Sequence, residues 1–117
     1  MASVARDVRF SLRECLPHTG VTVVPVSGEI DLATAAAMRD RLAAAARDED
    51  CECLVVDLAD VVFLDASGVG ALVAVRRILA GRGSRMVLAR PRPAVVRVLR
   101  ILGMDRVFEI VPAPPVR

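Results

Sequence analysis

Short apolar segments that alternate with segments of helical periodicity constrain this chain more than any other feature of its sequence. Residues 53–58 (CLVVDL) and 85–89 (RMVLA) are almost continuously apolar, which is typical of strands covered on both faces of a sheet. Residues 71–83 and 90–103 carry apolar side chains at intervals of three and four, which predicts amphipathic helices. Because the two patterns alternate, we expect mostly parallel strands joined by crossover helices.

The segments that precede these runs extend the pattern. Residues 8–16 and 21–28 flank a turn and predict a β-hairpin. Pro25 lacks a backbone donor, so we expect it at an unpaired sheet edge or at a bulge. A helix is expected within residues 28–50, with Asp31 as its N-cap.

The end of the chain completes the expected fold. Residues 107–111 predict a last strand, and residues 112–117 (PAPPVR) predict a tail because prolines continue neither a helix nor a central strand. We expect one α/β domain over residues 1–117, with a core over roughly 8–111 and the order β-β-α-β-α-β-α-β. Its sheet should be mixed, mostly parallel and built of about five strands, with helices packed on it.

The composition excludes several classes of function. Hydrophobic residues make up 55% of the chain and aromatic residues only 3%, so few rings are available to stack on the bases of a nucleic acid, and no nucleic-acid partner is expected. All 16 basic residues are arginines, which excludes a catalytic lysine and a P-loop. The 3 cysteines and His18 lack the spacing of a zinc site. We therefore expect no metal and no cofactor.

The charges are distributed unevenly along the chain. Residues 1–65 hold 6 arginines and 12 acidic residues, whereas residues 66–117 hold 10 arginines and 2 acidic residues. This asymmetry favours pairing with a protein or an anion, although ordinary solvated helix surfaces explain it equally well. No apolar stretch approaches the roughly 20 residues of a membrane span, and the first residues lack a signal-peptide core, so we expect a cytoplasmic protein.

A lone carboxylate and two glycines stand in residues 63–70 (FLDASGVG), where an apolar strand leads into a helix. The free amides and the dipole of the helix start could hold an anion, and the small residues could let another chain approach. Alternatively, Asp65 or Ser67 caps the helix and the glycines permit close packing. Ser67 is not expected to be a hydrolytic nucleophile, because the G-x-S-x-G pattern is absent and His18 lies in a distant turn.

Three stretches together resemble the STAS family, the anti-sigma factor antagonists. They are SGEIDLATA (27–35), VVDLADVVFLDASGVGAL (55–72) and AVVRVLRILGMDRVFEIV (94–111), and they follow the order and spacing of the family. The resemblance implies a bacterial, non-enzymatic regulator that binds an anti-sigma factor of the serine-kinase type and so releases a sigma factor for transcription. The partner-binding residues that it implies are Asp31, Thr34, Asp65, Ala66, Ser67, Gly68, Val69 and Gly70.

The resemblance also implies a phosphorylation switch, from which this sequence departs. In the family, the kinase phosphorylates the residue directly after the aspartate, and a serine phosphatase reverses the reaction. That residue is here Ala66, which has no hydroxyl group. We therefore expect an antagonist that phosphorylation does not switch off. Ser67 is a displaced acceptor in the alternative interpretation, and a step of one residue in a helix turns its side chain by about 100°.

Other functions stay open at this point. STAS domains also serve in lipid-transport systems, in stressosome-like assemblies and as parts of anion transporters, and the last role is disfavoured by the absence of membrane spans. A nucleotide could also bind at the helix start near Gly68 and Gly70, helped by an arginine. Family members commonly add a last helix, which residues 112–117 cannot form.

Overall fold

Four parallel strands form the sheet, and three helices connect them, in the computed structural model, which describes residues 20–112. In chain order the elements are β1 (Val21–Ile30), α1 (Ala35–Ala46), β2 (Cys53–Leu64), α2 (Ala66–Ala80), β3 (Arg85–Ala89), α3 (Pro93–Ile101), a 3₁₀ turn (Met104–Arg106) and β4 (Glu109–Val111). The strands lie side by side in the order β1-β2-β3-β4, and all three neighbouring pairs are parallel.

The expected α/β fold is confirmed, and the described sheet has four of the about five predicted strands. The predicted strand over residues 8–16 lies outside the described residues, as does nearly all of the predicted tail. The mixed character of the sheet therefore stays a prediction.

Aliphatic side chains build the core, as the scarcity of aromatic residues predicts. Alternate residues of the strands point to one face of the sheet and pack beneath the helices, since side chains alternate along a strand. The largest fully buried side chains of this main core are Leu42, Leu54, Leu58, Leu64, Leu72, Leu79, Leu88 and Leu99. The opposite face of the sheet carries a smaller buried cluster of Val23, Val55, Val87 and Ala89.

Strand β2 is longer than its apolar run predicts. It continues six residues beyond Leu58 to Leu64, because β1 also continues and pairs with it as far as Ile30. Helix α2 likewise extends five residues ahead of the periodic segment 71–83: it begins at Ala66, directly after the expected cap Asp65, and it ends at Ala80. Sequence periodicity missed both extensions, because exposed residues interrupt the apolar pattern on each side of the junction.

The other boundaries follow the sequence signals more closely. Pro25 was expected at an unpaired edge or at a bulge, and it adjoins a register shift in the β1–β2 pair. Helix α1 begins at Ala35 with Thr34 as its N-cap, so the prediction of Asp31 at that position is wrong by three residues. Pro93 occupies the first turn of α3, as predicted. Gly103 then takes a φ of 73°, which stops the helix in the left-handed region.

Strand β2 extends beyond its neighbour β3 at the carboxyl-terminal edge of the sheet. The β2–β3 pairing ends at Asp57 and Ala89. Beyond that point, side chains from the β3–α3 turn contact β2: Arg90 forms an ion pair with Asp57, and Arg92 Nε donates to the carbonyl oxygen of Ala59 at 2.8 Å. On the side of β3, the extension is thus anchored by two arginines, whereas on its other side it pairs with β1.

Candidate functional site

The ends of β1 and β2 bring the two motif segments together at the carboxyl-terminal edge of the sheet. Ile30 and Leu64 are partners in the strand register, and the amide of Asp65 donates to the carbonyl oxygen of Ile30 at 3.2 Å. Ligand and partner sites of parallel sheets concentrate at this edge. The segments around residues 31–34 and 65–70, which are far apart in the sequence, therefore form one surface.

Asp65 caps helix α2 with its side chain. Its Oδ1 accepts hydrogen bonds from the amides of Ser67 at 2.9 Å and Gly68 at 3.3 Å, and its carbonyl oxygen accepts from the amide of Val69 at 3.1 Å. The capping interpretation from the sequence is confirmed. Since the carboxylate already occupies two amides and adds a negative charge, this helix start is a poor place for the phosphate of a nucleotide.

Asp31 and Thr34 stabilise the turn before α1 reciprocally. Asp31 Oδ1 accepts from the amides of Ala33 at 3.0 Å and Thr34 at 3.2 Å. Thr34 Oγ1 accepts from the amide of Asp31 at 2.9 Å and donates to the carbonyl oxygen of Glu29 at 2.8 Å. Together these bonds satisfy donors that the helix start would otherwise leave open. Both side chains therefore hold the shape of the turn, and neither is poised as a general acid or base.

Exposure separates the predicted site residues into two groups. Thr34, Ala66 and Gly70 are exposed, and Asp31, Asp65 and Ser67 are partly exposed, so a partner can reach all of them. Gly68 and Val69 are buried instead. These two hold the helix start in place from beneath, whereas the first group forms the accessible surface.

The lack of a side chain at the two glycines of the helix start has a different consequence at each position. A Cβ on Gly68 would lie 2.3 Å from Leu64 Cδ1 and 2.8 Å from Ile30 Cγ2, so any larger residue here forces these side chains or the helix start to shift. A Cβ on Gly70 would meet nothing within 4 Å. Gly68 therefore serves packing, and Gly70 leaves a smooth, open surface.

Three exposed apolar side chains lie on the segments that form this edge, and none of them belongs to the residues that the sequence predicted for the site. Leu32 is 83% exposed, at the tip of the turn before α1, and Val62 and Phe63 are 48% and 49% exposed near the end of β2. Glu29 and Asp60, next to them in the chain or in the register, are exposed acids without an ion pair to any residue in the described range. An apolar residue inside a capping turn is the signal that could have identified Leu32.

A shallow cleft of about 230 Å³ opens beside this edge, between the end of β1 and α1. Its lining includes the apolar Ile30 and Met38, the hydroxyl of Thr34, and the opposite charges of Glu29 and Arg41. Such a cleft suits one side chain of a protein partner better than a whole cofactor, because pockets for small molecules usually have volumes of roughly 300–1,000 Å³.

Residues 20–112 contain neither a membrane-spanning helix nor a metal site. Their helices are too short or too polar to span a bilayer, and no three or more of their histidine, cysteine or acidic side chains are grouped so as to bind a metal ion.

Comparison with known proteins identifies related sequences and structures that agree in family. The sequence profile of the STAS domain matches residues 15–114. The anti-sigma F factor antagonist of Paenibacillus polymyxa is 32% identical over 93 residues, which are 80% of each chain. The anti-sigma-F factor antagonist RsfB of Mycobacterium tuberculosis is 33% identical over 93 residues, or 80% of this chain and 75% of that one. The crystal structure of an anti-sigma factor antagonist from Mycobacterium paratuberculosis, 36% identical, matches with a TM-score of 0.73 over 82% of this chain and 80% of that chain.

Proposed function

Since the chain belongs to the STAS domain family, we propose that it is an anti-sigma factor antagonist, a binding protein rather than an enzyme. It binds an anti-sigma factor and so releases the sigma factor that the anti-sigma factor holds. One observation carries the proposal: two relatives at 32% and 33% identity, aligned over four fifths of this chain, are antagonists of this kind.

The proposed contact surface is the carboxyl-terminal edge of the sheet. Thr34, Ala66 and Gly70 present small, exposed groups there, and Leu32 and Phe63 add apolar side chains that a partner can bury. Apolar anchors of this size often carry most of the binding energy of an interface. Because the hydrogen bonds of Asp31 and Asp65 already fix both turns, little ordering entropy is lost on binding.

The proposed partner is an anti-sigma factor of the serine-kinase type, and the proposed antagonist is insensitive to its kinase activity. Ala66 is the first residue of α2 and is exposed, so it stands where a kinase could reach a hydroxyl but offers none. Ser67 is only partly exposed, and its amide is bonded to Asp65. An antagonist of this type stays active once it is made and needs no phosphatase.

Titration calorimetry against each anti-sigma factor of the host tests the function. Gly70→Arg places a long side chain on the proposed surface, in space that the fold leaves open, so the variant should fold and lose binding by roughly tenfold or more. Ala80→Arg is the matched control, because Ala80 is exposed at the other end of the same helix. Binding to none of these factors contradicts the proposal, and co-purification with a permease instead supports a transport subunit.

A further inference from the structure

The exposed large apolar side chains of the described residues form two groups of three. Leu32, Val62 and Phe63 lie at the carboxyl-terminal edge of the sheet, and Ile101, Leu102 and Val107 follow the end of α3, exposed by 75%, 42% and 36%. Helix α3 starts beyond the carboxyl end of β3 and returns the chain to the amino end of the parallel strand β4. The second group therefore lies at the opposite edge of the sheet from the first.

Arginines surround the apolar side chains at the end of α3. Arg97 and Ile101 are four residues apart, so they share one face of the helix, and Arg100 and Arg106 are also exposed. None of these three arginines has an ion pair within residues 20–112. Of the two acids nearest to them in sequence, Asp105 has no ion pair in that range and Glu109 pairs with Arg85. We call the surface formed by Arg97, Arg100, Ile101, Leu102, Arg106 and Val107 the basic patch.

Acidic residues accompany the apolar side chains at the carboxyl-terminal edge. Glu29 and Asp60 are exposed and unpaired within the described range, and they lie close to Phe63 and Val62 in the strand register and in the chain. Arg41 and Arg92 border this surface but pair with neither acid. We call the surface formed by Glu29, Leu32, Asp60, Val62 and Phe63 the acidic patch.

We propose that the basic patch of one copy of this chain docks on the acidic patch of a second copy. Each patch offers an apolar centre, and the charges around the two centres are opposite, which favours this pairing. The patches lie at opposite edges of the sheet, so they cannot meet within one molecule. A dimer that pairs either patch with itself brings like charges together, so each contact joins unlike patches. Such contacts repeated head-to-tail form rings or open chains, and two of them between antiparallel copies form a closed dimer.

This association gives the chain a means of control that phosphorylation does not supply. The consequence rests on the proposed function, because the acidic patch overlaps the surface proposed to bind the anti-sigma factor. Associated copies hide that surface, and the anti-sigma factor competes for it. The fraction of free antagonist then depends on its concentration and on salt, since screening weakens exposed charge pairs.

Sedimentation of the purified chain alone tests the association separately from the proposed function. The average mass should rise with protein concentration in low salt and fall when salt is added. Arg100→Gln with Ile101→Ser removes the basic patch, and Leu32→Ser with Asp60→Asn removes the acidic patch; each double variant alone should sediment as a monomer. A mixture of the two variants retains one complementary pair of patches, so it should form a 1:1 heterodimer and nothing larger. Arg77→Gln, an exposed position outside both patches, should associate as the wild type does.

Three outcomes overturn the inference. The first is a wild type that stays monomeric at all concentrations in low salt, even if its basic patch binds anionic phospholipid vesicles. The second is an association that either double variant retains although circular dichroism shows both to be folded. The third is a mixture of the variants that stays monomeric. Loss of anti-sigma factor binding in any of these variants bears on the proposed function alone.

Discussion

The amide of Asp65 donates a hydrogen bond to the carbonyl oxygen of Ile30 at 3.2 Å, one residue beyond the last register pair of β1 and β2. This bond joins the start of α2 to the end of the strand that leads into the turn of residues 31–34. The two halves of the proposed contact surface are therefore held by the same strand ends. A change that loosens the start of α2 should also disturb the turn before α1.

The cap of α2 should contribute measurable stability. Asp65→Ala removes the acceptor of the Ser67 and Gly68 amides and should lower the free energy of unfolding by about 1 kcal/mol. Asp65→Asn keeps a capping oxygen and should retain most of that stability. Urea unfolding of the two variants measures the difference. Equal losses in both would mean that the carboxylate charge, rather than the hydrogen bonds, stabilises the helix.

The two glycines of α2 should respond in opposite directions to alanine. Gly68→Ala forces a methyl group against Leu64 and Ile30, both of which are buried, and should cost about 1 kcal/mol or more after the gain in helix propensity. Gly70→Ala meets open space and should gain up to about 1 kcal/mol. Thermal unfolding of both variants tests this pair. A stabilised Gly68→Ala variant would show that the helix start moves more easily than its contacts indicate.

The sequence determined the strands and helices whose apolar pattern is uninterrupted. β3 is found at the predicted residues 85–89, and the missing donor of Pro25 indicated an irregular position in β1, where the register shifts. The apolar pattern did not predict the boundaries of strands whose length depends on a neighbouring strand. β2 continues to Leu64 because β1 continues beside it. The apolar residues 61–64 favour a strand, but Ala59 and Asp60 separate them from the run that ends at Leu58.

Part of the candidate site could also be predicted from the sequence, and the other part depends on tertiary contacts. The motif spacing placed Asp65 at a helix start, and its acceptor role follows from that position. That Gly68 is buried while Gly70 is open depends on Ile30, which lies 38 residues earlier in the chain. The exposure of Leu32 likewise depends on the turn that Asp31 and Thr34 hold together.

Loss of the ion pair between Asp57 and Arg90 should lower the free energy of unfolding more than loss of an exposed contact does. The Asp57 side chain is 4% exposed and that of Arg90 is 29% exposed, and Arg90 Nε donates to Asp57 Oδ1 at 3.1 Å. Arg90→Ala leaves the buried carboxylate without this partner and should destabilise the fold by about 3 kcal/mol. Arg92→Ala loses only an exposed hydrogen bond and should cost about 1 kcal/mol or less. Urea unfolding that gives equal losses for the two variants would contradict this explanation.

The Cys53 thiol should be less reactive than an ordinary thiol. Burial raises its pKa above the usual 9.0, although the nearby Arg85 acts in the opposite direction. Alkylation by iodoacetamide at neutral pH, mapped by mass spectrometry, should be slower at Cys53 in the folded protein than in urea. Arg85→Gln removes the opposing cation and should slow the reaction further, whereas the surface variant Arg77→Gln should leave it unchanged. A faster reaction in Arg85→Gln would mean that the arginine blocks access to the thiol.

The raised pKa of Cys53 also sets a direction for stability against pH. The folded protein holds the thiol proton more tightly than the unfolded chain does. The resulting stability is complete below the unfolded-state pKa and is lost as the pH rises from there through the folded-state pKa. Cys53→Ser should therefore flatten the decline of stability above pH 9.0. An equally steep decline in Cys53→Ser would assign it to other groups.

Introducing a hydroxyl at residue 66 should create a phosphorylation switch at the start of α2. Ala66→Ser places an acceptor on the exposed first residue of α2, so a cognate serine kinase should phosphorylate it, and the wild type should incorporate no phosphate. The phosphoryl group adds about −1.5 to −2 charges beside the Asp65 carboxylate and should weaken binding to the anti-sigma factor by tenfold or more, or roughly 1.4 kcal/mol. Mass spectrometry after incubation with kinase and ATP measures the phosphate, and calorimetry measures the binding. Ser67→Ala is the matched control and should change neither the incorporation of phosphate nor the binding to the anti-sigma factor. Phosphate found on Ser67 of the wild type would refute the prediction and make Ser67 the acceptor.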